Sequence, residues 1–389
     1  MNIMIINDEL KLIDSFQSSA PVRGLTHTFY KYPARFAPEF AREFICQFSK
    51  EGDCICDAFM GGGTAIVEAV ASGRYAVGMD INPLAHFITA SKTTPLSLRD
   101  QDNILFWAES VDFKAAIDNI DDYRTKNLPD EMKRIFAYAM ATVNDLEYPR
   151  QRRFAKCVLL KLGQWAIDYK KNIPTTIALK IQFMKQVNEM LEGLNEFVVT
   201  AKSNGISKNK ITSRRVLYLG NVHSILQSKE FPVNYPKPKL ILTSPPYPGV
   251  HVVYHRWQIR GRRETPAPYW ITDLRDGHGE SYFTLGSRSE KGLRDYFENI
   301  ENIFRNMRVL IDPEAIVVQL VAFSEPGTQL PAFLNAMTNA GYEEITPLGN
   351  TASERPLRKV PNRKWYANSQ EKQPASNEIL LVHKPVQAA

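Results

Sequence analysis

A strand, three glycines, a helix and a second strand follow one another in residues 53–80. The residues at 53–58 predict a short buried strand, and the glycines at 61–63 let the backbone approach a ligand closely. Residues 64–71 have helical composition, and Gly73 is placed to end that helix. This order is the first half of a nucleotide-binding βα unit, in which free N–H groups at the start of the helix face a carboxylate or phosphate.

The second strand of this unit ends in Asp80, 23 positions after Asp57. An acid at about that separation is placed to accept hydrogen bonds from the two hydroxyls of a ribose. The chain contains no Gly-Lys-Ser/Thr phosphate loop, so a nucleoside triphosphate is a poor fit. A ribose-bearing ligand with a carboxylate, such as S-adenosylmethionine, fits better.

Another apolar run, at 239–243, stops at Ser244, Pro245, Pro246 and Tyr247. Proline cannot donate to a strand ladder, so the pair ends the predicted strand in a stiff turn. A hydroxyl, a backbone carbonyl and a flat ring then lie at the strand tip. Two acceptors and a stacking face are the groups needed to hold a planar aromatic amine. The alternative is a structural Pro-Pro turn with no catalytic role.

Three motifs resemble those of the amino-methylating (N4-cytosine/N6-adenine) DNA methyltransferases. Asp57-Ala-Phe-Met-Gly-Gly-Gly-Thr64 is similar to their cofactor motif, Asp-Pro-Phe-x-Gly-x-Gly-Thr. Thr243-Ser-Pro-Pro-Tyr247 resembles their catalytic motif, in the form most often associated with N4-cytosine enzymes. His27-Thr-Phe-Tyr-Lys-Tyr-Pro-Ala-Arg-Phe-Ala-Pro38 is similar to a segment that covers the methionine end of the cofactor in a branch of the family.

The motifs depart from the family pattern in places that spare its chemistry. Ala58 replaces the usual proline, Gly62 occupies a variable position, and Arg35 stands where lysine is commoner. None of these changes removes a functional group that the reaction requires.

The resemblance implies an α/β fold, namely the Rossmann-like sheet of class I S-adenosylmethionine-dependent methyltransferases, here with a helical insertion. It implies catalytic roles for Ser244, Pro245, Pro246 and Tyr247. The cofactor-binding residues that it implies are Tyr32, Pro33, Phe36, Asp57, Phe59, Gly61, Gly63, Thr64, Asp80, Asn82 and Asn221.

The activity that the resemblance implies is site-specific methylation of double-stranded DNA. The methyl group of S-adenosylmethionine would pass to an exocyclic amine of a flipped base. Cytosine N4 is favoured over adenine N6, because neutral Ser244 is a weaker acceptor than the Asp of many adenine enzymes. A restriction-modification or phage-defence setting is implied, with a cognate restriction endonuclease or defence-system subunits as partners.

Two basic segments are candidates for DNA binding. Lys208 and Lys210 lie in the stretch 202–215, which contains no acid. A second set follows the catalytic turn and interleaves basic and aromatic side chains: Arg256, Trp257, Arg260, Arg262 and Arg263. Such side chains suit phosphate contacts around a displaced base. The alternative is a solvated basic loop.

Composition excludes several classes of protein. No run of 18 apolar residues exists, and the first residues lack a signal peptide, so we expect a cytoplasmic protein without a membrane span. Four cysteines without zinc spacing predict neither a disulfide framework nor a metal site. No Pro-Cys dipeptide occurs, which argues against cytosine C5 methylation, because that reaction needs a thiolate nucleophile usually presented in that context.

The chain divides into three predicted parts. Residues 1–96 and 213–389 form the two parts of the methyltransferase core, and 97–212 is a helical insertion. An apolar stripe that begins at Ile177 and Ile181 predicts core packing by one of its helices. The insertion could recognise DNA, bind a partner or only support the core, and the basic loop 248–292 is a competing candidate for base recognition.

Three other functions stay open at this stage. A guanine-N2 RNA methyltransferase shares the motif order, but usually carries an RNA-binding domain before the segment that begins here at His27. A protein glutamine methyltransferase would want Asn in place of Ser244. A catalytically silent DNA-binding subunit is disfavoured by the intact Ser-Pro-Pro-Tyr turn and Asp80.

Overall fold

The computed structural model describes residues 9–32, 35, 37–228, 235–248, 256–260, 263–276, 285–287, 289–345, 355–359 and 377–387. The strands in these ranges are β1 (Cys54–Asp57), β2 (Tyr75–Asp80), β3 (Arg215–Leu219), β4 (Pro238–Thr243), β5 (Trp257–Ile259), β6 (Arg263–Thr265), β7 (Ile316–Val321), β8 (Tyr342–Ile345), β9 (Leu357–Lys359) and β10 (Asn377–Pro385). The α-helices are α1 (Glu9–Gln17), α2 (Pro38–Phe48), α3 (Thr64–Ala71), α4 (Pro83–Lys92), α5 (Leu98–Ser110), α6 (Asp130–Thr142), α7 (Pro149–Ile167), α8 (Thr176–Ser203), α9 (Val222–Gln227), α10 (Ala267–Thr272), α11 (Glu290–Leu310) and α12 (Pro326–Asn339).

One large sheet organises the core, in the order β3-β2-β1-β4-β7-β10-β8, with β9 paired to β10. Strands β3, β2, β1, β4 and β7 run parallel, and β10 lies antiparallel between β7 and β8. The chain order reverses between β1 and β4, and ligands of such sheets bind at the carboxyl ends of the strands beside that switch point. The predicted Rossmann-like sheet is confirmed.

The central strands are apolar on both sides because helices cover both faces of the sheet. All four residues of β1 and all six of β7 are buried, as expected for parallel strands. Ile55 packs with the cluster that includes α2, α3 and the insertion, whereas Cys54 and Cys56 pack with the cluster under α11 and α12. The two cysteines are therefore core thiols, as the alternation in β1 predicts.

The insertion between β2 and β3 is helical, and its longest helices, α7 and α8, pack against each other. The apolar stripe predicted from Ile177 is wrong at its start, since Ile177 and Ile181 are 69% and 66% exposed. The buried face of α8 runs instead through Leu179, Phe183, Val187, Met190, Leu194 and Phe197. Among the residues that the structure describes, no helix has the length and apolar character needed to cross a bilayer.

Candidate active site

The two sequence motifs end at the same edge of the sheet. Asp57 closes β1 and Thr243 closes β4, and the Thr243 hydroxyl donates a 2.7 Å hydrogen bond to Asp57 Oδ1. Asp80 closes β2 on the other side of β1. Neighbouring strands lie about 4.8 Å apart, so Asp80 and Thr243 are separated by roughly 10 Å. A donor bound at Asp80 and an acceptor held beyond Thr243 would therefore meet above β1.

Asp57 joins these motifs as a buried carboxyl group that is only 1% exposed. Burial raises its pKa to about 7, while hydrogen bonds from the Thr243 hydroxyl and the Phe59 N–H act in the opposite direction. Both donors bind the same oxygen, Oδ1. Asp57 therefore holds the strand tips together and fixes the position of the turn that follows β1.

Asp80 organises the glycine turn that follows β1. Its Oδ2 accepts from the Gly61 N–H at 2.9 Å, and its Oδ1 accepts from the Asn82 N–H at 2.8 Å. Burial raises the pKa of Asp80 to about 6, and the two N–H donors oppose that shift. Each carboxylate oxygen keeps a further lone pair, so Asp80 can accept from two hydroxyls of a ligand.

Glycine is required at the start of α3. Gly63 has φ +72, and a Cβ there would lie 2.4 Å from Thr89 Oγ1 on α4. No side chain caps this helix at Gly63. The first N–H groups of α3, from Thr64 onward, are therefore available to a carboxylate.

Tyr32 lies directly on the glycine turn. A Cβ at Gly62 would be 2.8 Å from the Tyr32 Cβ, so that close approach needs glycine. The Asn82 side-chain amide donates to the Tyr32 hydroxyl at 3.3 Å, and Asn82 Oδ1 accepts from the Tyr269 hydroxyl at 3.1 Å. Tyr32 and Asn82 are thus brought to the predicted cofactor site, while Pro33 and Phe36 lie outside the described residues.

Phe59 and Asn221 lie at the same edge. Phe59 is half-buried, and its N–H donates to Asp57 Oδ1 at 3.1 Å. The Gly220 N–H donates to the Asp80 carbonyl at 2.9 Å, which places exposed Asn221 beside the end of β2. Asn221 also begins α9, where its Oδ1 accepts from the Ser224 N–H.

The segment that carries Tyr32 is anchored to α3 through buried polar groups. His27 Nε2 lies 2.7 Å from Glu68 Oε1, and Arg42 donates to both oxygens of Glu68. Burial lowers the pKa of His27, and the hydrogen bond to Glu68 opposes that shift. Arg35 donates to the His27 carbonyl at 3.0 Å within the segment, and the His27–Glu68 contact holds the start of the segment against α3.

Lys92 is a buried lysine of α4 that holds the glycine turn through a hydrogen bond, and its burial should make stability depend on pH. Its Nζ donates to the Gly62 carbonyl at 2.6 Å, and its side chain is fully buried. Burial, with a contribution from Arg35, lowers the pKa of Lys92 to about 7. Between about pH 7 and 10.5 the unfolded chain binds the proton and the folded chain does not, so stability rises with pH in that window.

We therefore expect Lys92 to contribute an increase of about 1.5 kcal/mol to the free energy of unfolding between pH 7 and 8.5, and Lys92→Met to remove most of that contribution. Urea unfolding at both pH values measures it. Equal pH dependence in the two proteins would show that Lys92 does not titrate in this window.

The Ser-Pro-Pro-Tyr turn at 244–247 presents the hydroxyl of Ser244 as an acceptor. Ser244 donates its proton to the Leu320 carbonyl on β7 at 2.9 Å. A hydroxyl that donates elsewhere keeps both lone pairs for incoming N–H groups. Ser244 and the Pro245 carbonyl that follows it lie at the tip of β4, so both predicted acceptors are at the strand edge; Pro246 continues the turn.

Tyr247 is held by a hydrogen bond to a carboxylate that belongs to an ion pair, and no sequence motif predicts this contact. Its hydroxyl donates to Glu378 Oε1 at 2.6 Å, and Arg358 pairs with Glu378 Oε2. Arg358 lies on β9, Glu378 on β10, and Arg358 also donates to the Phe16 carbonyl of α1. Tyr247 is 9% exposed and Glu378 7%. The ring of Tyr247 is therefore held in place by residues of β9 and β10, which lie more than 100 positions later in the chain.

The predicted DNA-binding side chains differ in exposure and in their partners. Arg260, Arg263 and Lys210 are exposed and Lys208 is half-buried. Arg256 is paired with Asp276 at 3.0 Å, and Arg262 lies outside the described residues. Trp257 is wrong as a DNA contact, because it is 1% exposed and donates to the Tyr30 hydroxyl at 3.0 Å in the core.

Three residues of the site were missed by sequence reasoning. Glu378 acts on Tyr247 across 131 positions, and Tyr269 reaches Asn82 across 187. Lys92 lies in a helix that no motif covers. No local pattern indicates any of these partners, because each depends on elements that only the folded sheet brings together.

Comparison with known proteins matches the part of the chain that contains the motifs at 27–38 and 57–64. Residues 12–91 match the N6_N4_Mtase family, described as DNA methylase. The chain is 33% identical over 129 residues to the Type II methyltransferase M.MvaI of Kocuria varians, covering 32% of this chain and 28% of that protein. It is 30% identical over 79 residues to the Type II methyltransferase M.MjaII of Methanocaldococcus jannaschii, covering 20% and 15%. The matched part thus spans less than a third of either relative.

Among solved structures, the chain matches the rRNA methyltransferase aviRa from Streptomyces viridochromogenes at 10% identity and a TM-score of 0.30, over 95% of this chain and 89% of that one. The fold assignment rests on the strand order of the sheet, not on this similarity.

The family match over residues 12–91 and the fold imply S-adenosylmethionine as the cofactor, and the residues present fit it. The uncapped start of α3 suits its carboxylate, and Asp80 suits its ribose hydroxyls.

Proposed function

We propose that this chain, whose resemblance to the amino-methyltransferase family is confirmed over residues 12–91, methylates an exocyclic amine of a base in DNA. The observation that carries the proposal is the Thr243–Asp57 hydrogen bond, since it brings the catalytic turn next to the cofactor turn. The bound cofactor supplies an electrophilic methyl group on a sulfonium. The protein must then hold the amine in line with that methyl and exclude water.

Ser244 and Pro245 are proposed to hold the amine. The lone pair of cytosine N4 or adenine N6 is delocalised into the ring, which makes the nitrogen a poor nucleophile. Hydrogen bonds from its two N–H groups to the Ser244 hydroxyl and the Pro245 carbonyl favour a pyramidal nitrogen and localise that pair. Since the Ser244 hydroxyl already donates to the Leu320 carbonyl, its lone pairs accept the hydrogen bond from the amine. The amine nitrogen releases one proton to solvent during or after methyl transfer. No covalent enzyme intermediate is needed.

Tyr247 is proposed to stack on the target base after it leaves the helix. Extrusion costs a few kcal/mol, and stacking on an aromatic side chain returns about 1–3 kcal/mol per base. Because the ring is only 9% exposed, the proposal requires that DNA binding uncovers one of its faces. The bond to Glu378 keeps the ring plane fixed while that happens.

Cytosine N4 is the proposed target. Ser244 accepts through a neutral hydroxyl, which donates its own proton to the Leu320 carbonyl. A neutral acceptor is weaker than the Asp of many adenine enzymes, and this favours cytosine. The names of both relatives contain Type II, which supports a further proposal, that the chain protects DNA from a restriction endonuclease of the same specificity.

Sequencing with modification-sensitive detection tests the function and the base together. DNA of mixed sequence is incubated with the protein and S-adenosylmethionine, and the matched control omits the cofactor. We expect N4-methylcytosine at one recurring sequence. N6-methyladenine at a recurring sequence would contradict the choice of base, and unmodified DNA would contradict the proposed function.

A further inference from the structure

The loop after the catalytic turn and the helical insertion form one packed unit. Trp257 of β5 lies against Gly163 of α7, where a Cβ would be 2.4 Å from the indole. The Gln258 N–H donates to Asp168 at 2.9 Å, and the Gln258 carbonyl accepts from the Tyr169 N–H at 2.8 Å. Residues 256–260 and 263–276 of the loop therefore form a single structural unit with the insertion.

A second group of contacts completes the same junction. Asn127 of the insertion donates from its side chain to the Glu264 carbonyl of β6 at 2.8 Å. Arg124 donates to the Leu274 carbonyl at 2.8 Å. The unit also contacts the predicted cofactor site. The Trp257 indole N–H donates a hydrogen bond to the Tyr30 hydroxyl, and the Tyr269 hydroxyl donates one to Asn82 Oδ1.

A pocket of about 360 Å³ opens at this junction, and its described lining residues are Asn127, Pro129, Ile259, Arg260 and Arg263. Its size falls in the range of small-ligand sites, about 300–1,000 Å³. Both arginines are exposed, and none of the described lining residues is acidic. Pro129 and Ile259 supply apolar surface beside the two positive charges.

The arginines differ from their neighbour Arg256 in their partners. Arg256 is neutralised by Asp276 at 3.0 Å. No ion pair of Arg260 or Arg263 is found within the part of the chain that the structure describes. Two unneutralised guanidinium groups around a cavity with an apolar wall fit a phosphate that carries a flat ring, since arginine binds phosphate with two N–H groups at once.

We infer that this pocket binds one nucleotide of the DNA outside the target base, with its phosphate on Arg260 and Arg263 and its base against Pro129 and Ile259. The inference rests on the proposed function and adds to it a role for the insertion. Two of the five described lining residues belong to 97–212, so the insertion takes part in DNA binding and does more than support the core.

The test compares two double variants that each lose two positive charges. Arg260→Gln/Arg263→Gln changes the pocket. Lys291→Gln/Arg294→Gln is the matched control, because both residues are exposed on α11, which covers the opposite face of the sheet, and neither has an ion pair with another described residue. Fluorescence anisotropy with duplex DNA that the wild-type protein methylates gives Kd at several salt concentrations. Calorimetry with S-adenosylmethionine checks that the cofactor site is intact.

We expect the pocket variant to bind DNA at least about tenfold more weakly and to lose about 1–2 units of the slope of log Kd against log salt. The control variant should keep both quantities. Equal Kd and slope in the two variants would overturn the inference while leaving the proposed function standing. If the wild-type protein neither binds nor methylates DNA, the proposed function fails and the pocket inference falls with it.

Discussion

Replacing Tyr247 by alanine is expected to reduce the rate of methyl transfer to DNA by about 10- to 100-fold. Stacking of an extruded base on an aromatic ring is worth about 1–3 kcal/mol, and each 1.4 kcal/mol is a factor of ten. Alanine has no ring on which the base can stack, so the stacking energy no longer offsets the cost of extruding the base. Single-turnover transfer of a radiolabelled methyl group, with protein in excess over DNA, measures the rate without product release.

Tyr247→Phe is the matched variant, because it keeps the ring and loses only the hydroxyl that donates to Glu378. A hydrogen bond of this kind contributes about 1.5–3 kcal/mol when its acceptor is charged, but Glu378 keeps its ion pair with Arg358. We expect a smaller loss of rate than in Tyr247→Ala, with unchanged affinity for S-adenosylmethionine in both. Full activity of the alanine variant would show that the base does not stack on Tyr247.

The core of the fold was predictable because its signals are local. The apolar run in β7, Ile-Val-Val-Gln-Leu-Val, is buried at every position, and such a run can only be a strand covered on both faces or a buried helix. The acid at the end of β2 and the prolines after β4 mark strand ends within a few residues. Their meeting at one edge then follows from the parallel arrangement of the strands.

The loop after Tyr247 was not predictable in the same way. Trp257 stands among arginines, which suggests a surface aromatic, but its indole fills the space left by Gly163, 94 positions earlier in the chain. Likewise, Glu378 reads as the polar start of a strand, whereas the structure uses its carboxylate to hold Tyr247. No periodic pattern in the sequence predicts either contact, because each joins elements that are brought together only by tertiary packing.

Replacing Asp80 by alanine is expected to weaken the binding of S-adenosylmethionine by at least about 10²-fold. Two hydroxyls of the ribose would donate to this carboxylate, and each hydrogen bond to a charged group contributes about 1.5–3 kcal/mol. Alanine also leaves the N–H groups of Gly61 and Asn82 without their acceptor. Calorimetric titration gives the Kd, and thermal unfolding shows how much of the loss comes from a disordered turn.

Asp80→Asn separates charge from shape and adds a pH test. Since burial raises the pKa of Asp80 to about 6, lowering the pH through that value protonates the carboxylate and removes an acceptor. The Kd of the wild-type protein should therefore rise by up to about tenfold per pH unit below about 6, whereas Asp80→Asn should bind weakly at every pH. The variant retains Asp57, whose pKa is about 7, so a pH dependence that survives in Asp80→Asn would point to Asp57. Unchanged affinity in Asp80→Ala would show that the ribose lies elsewhere, and the cofactor site at the end of β2 would have to be abandoned.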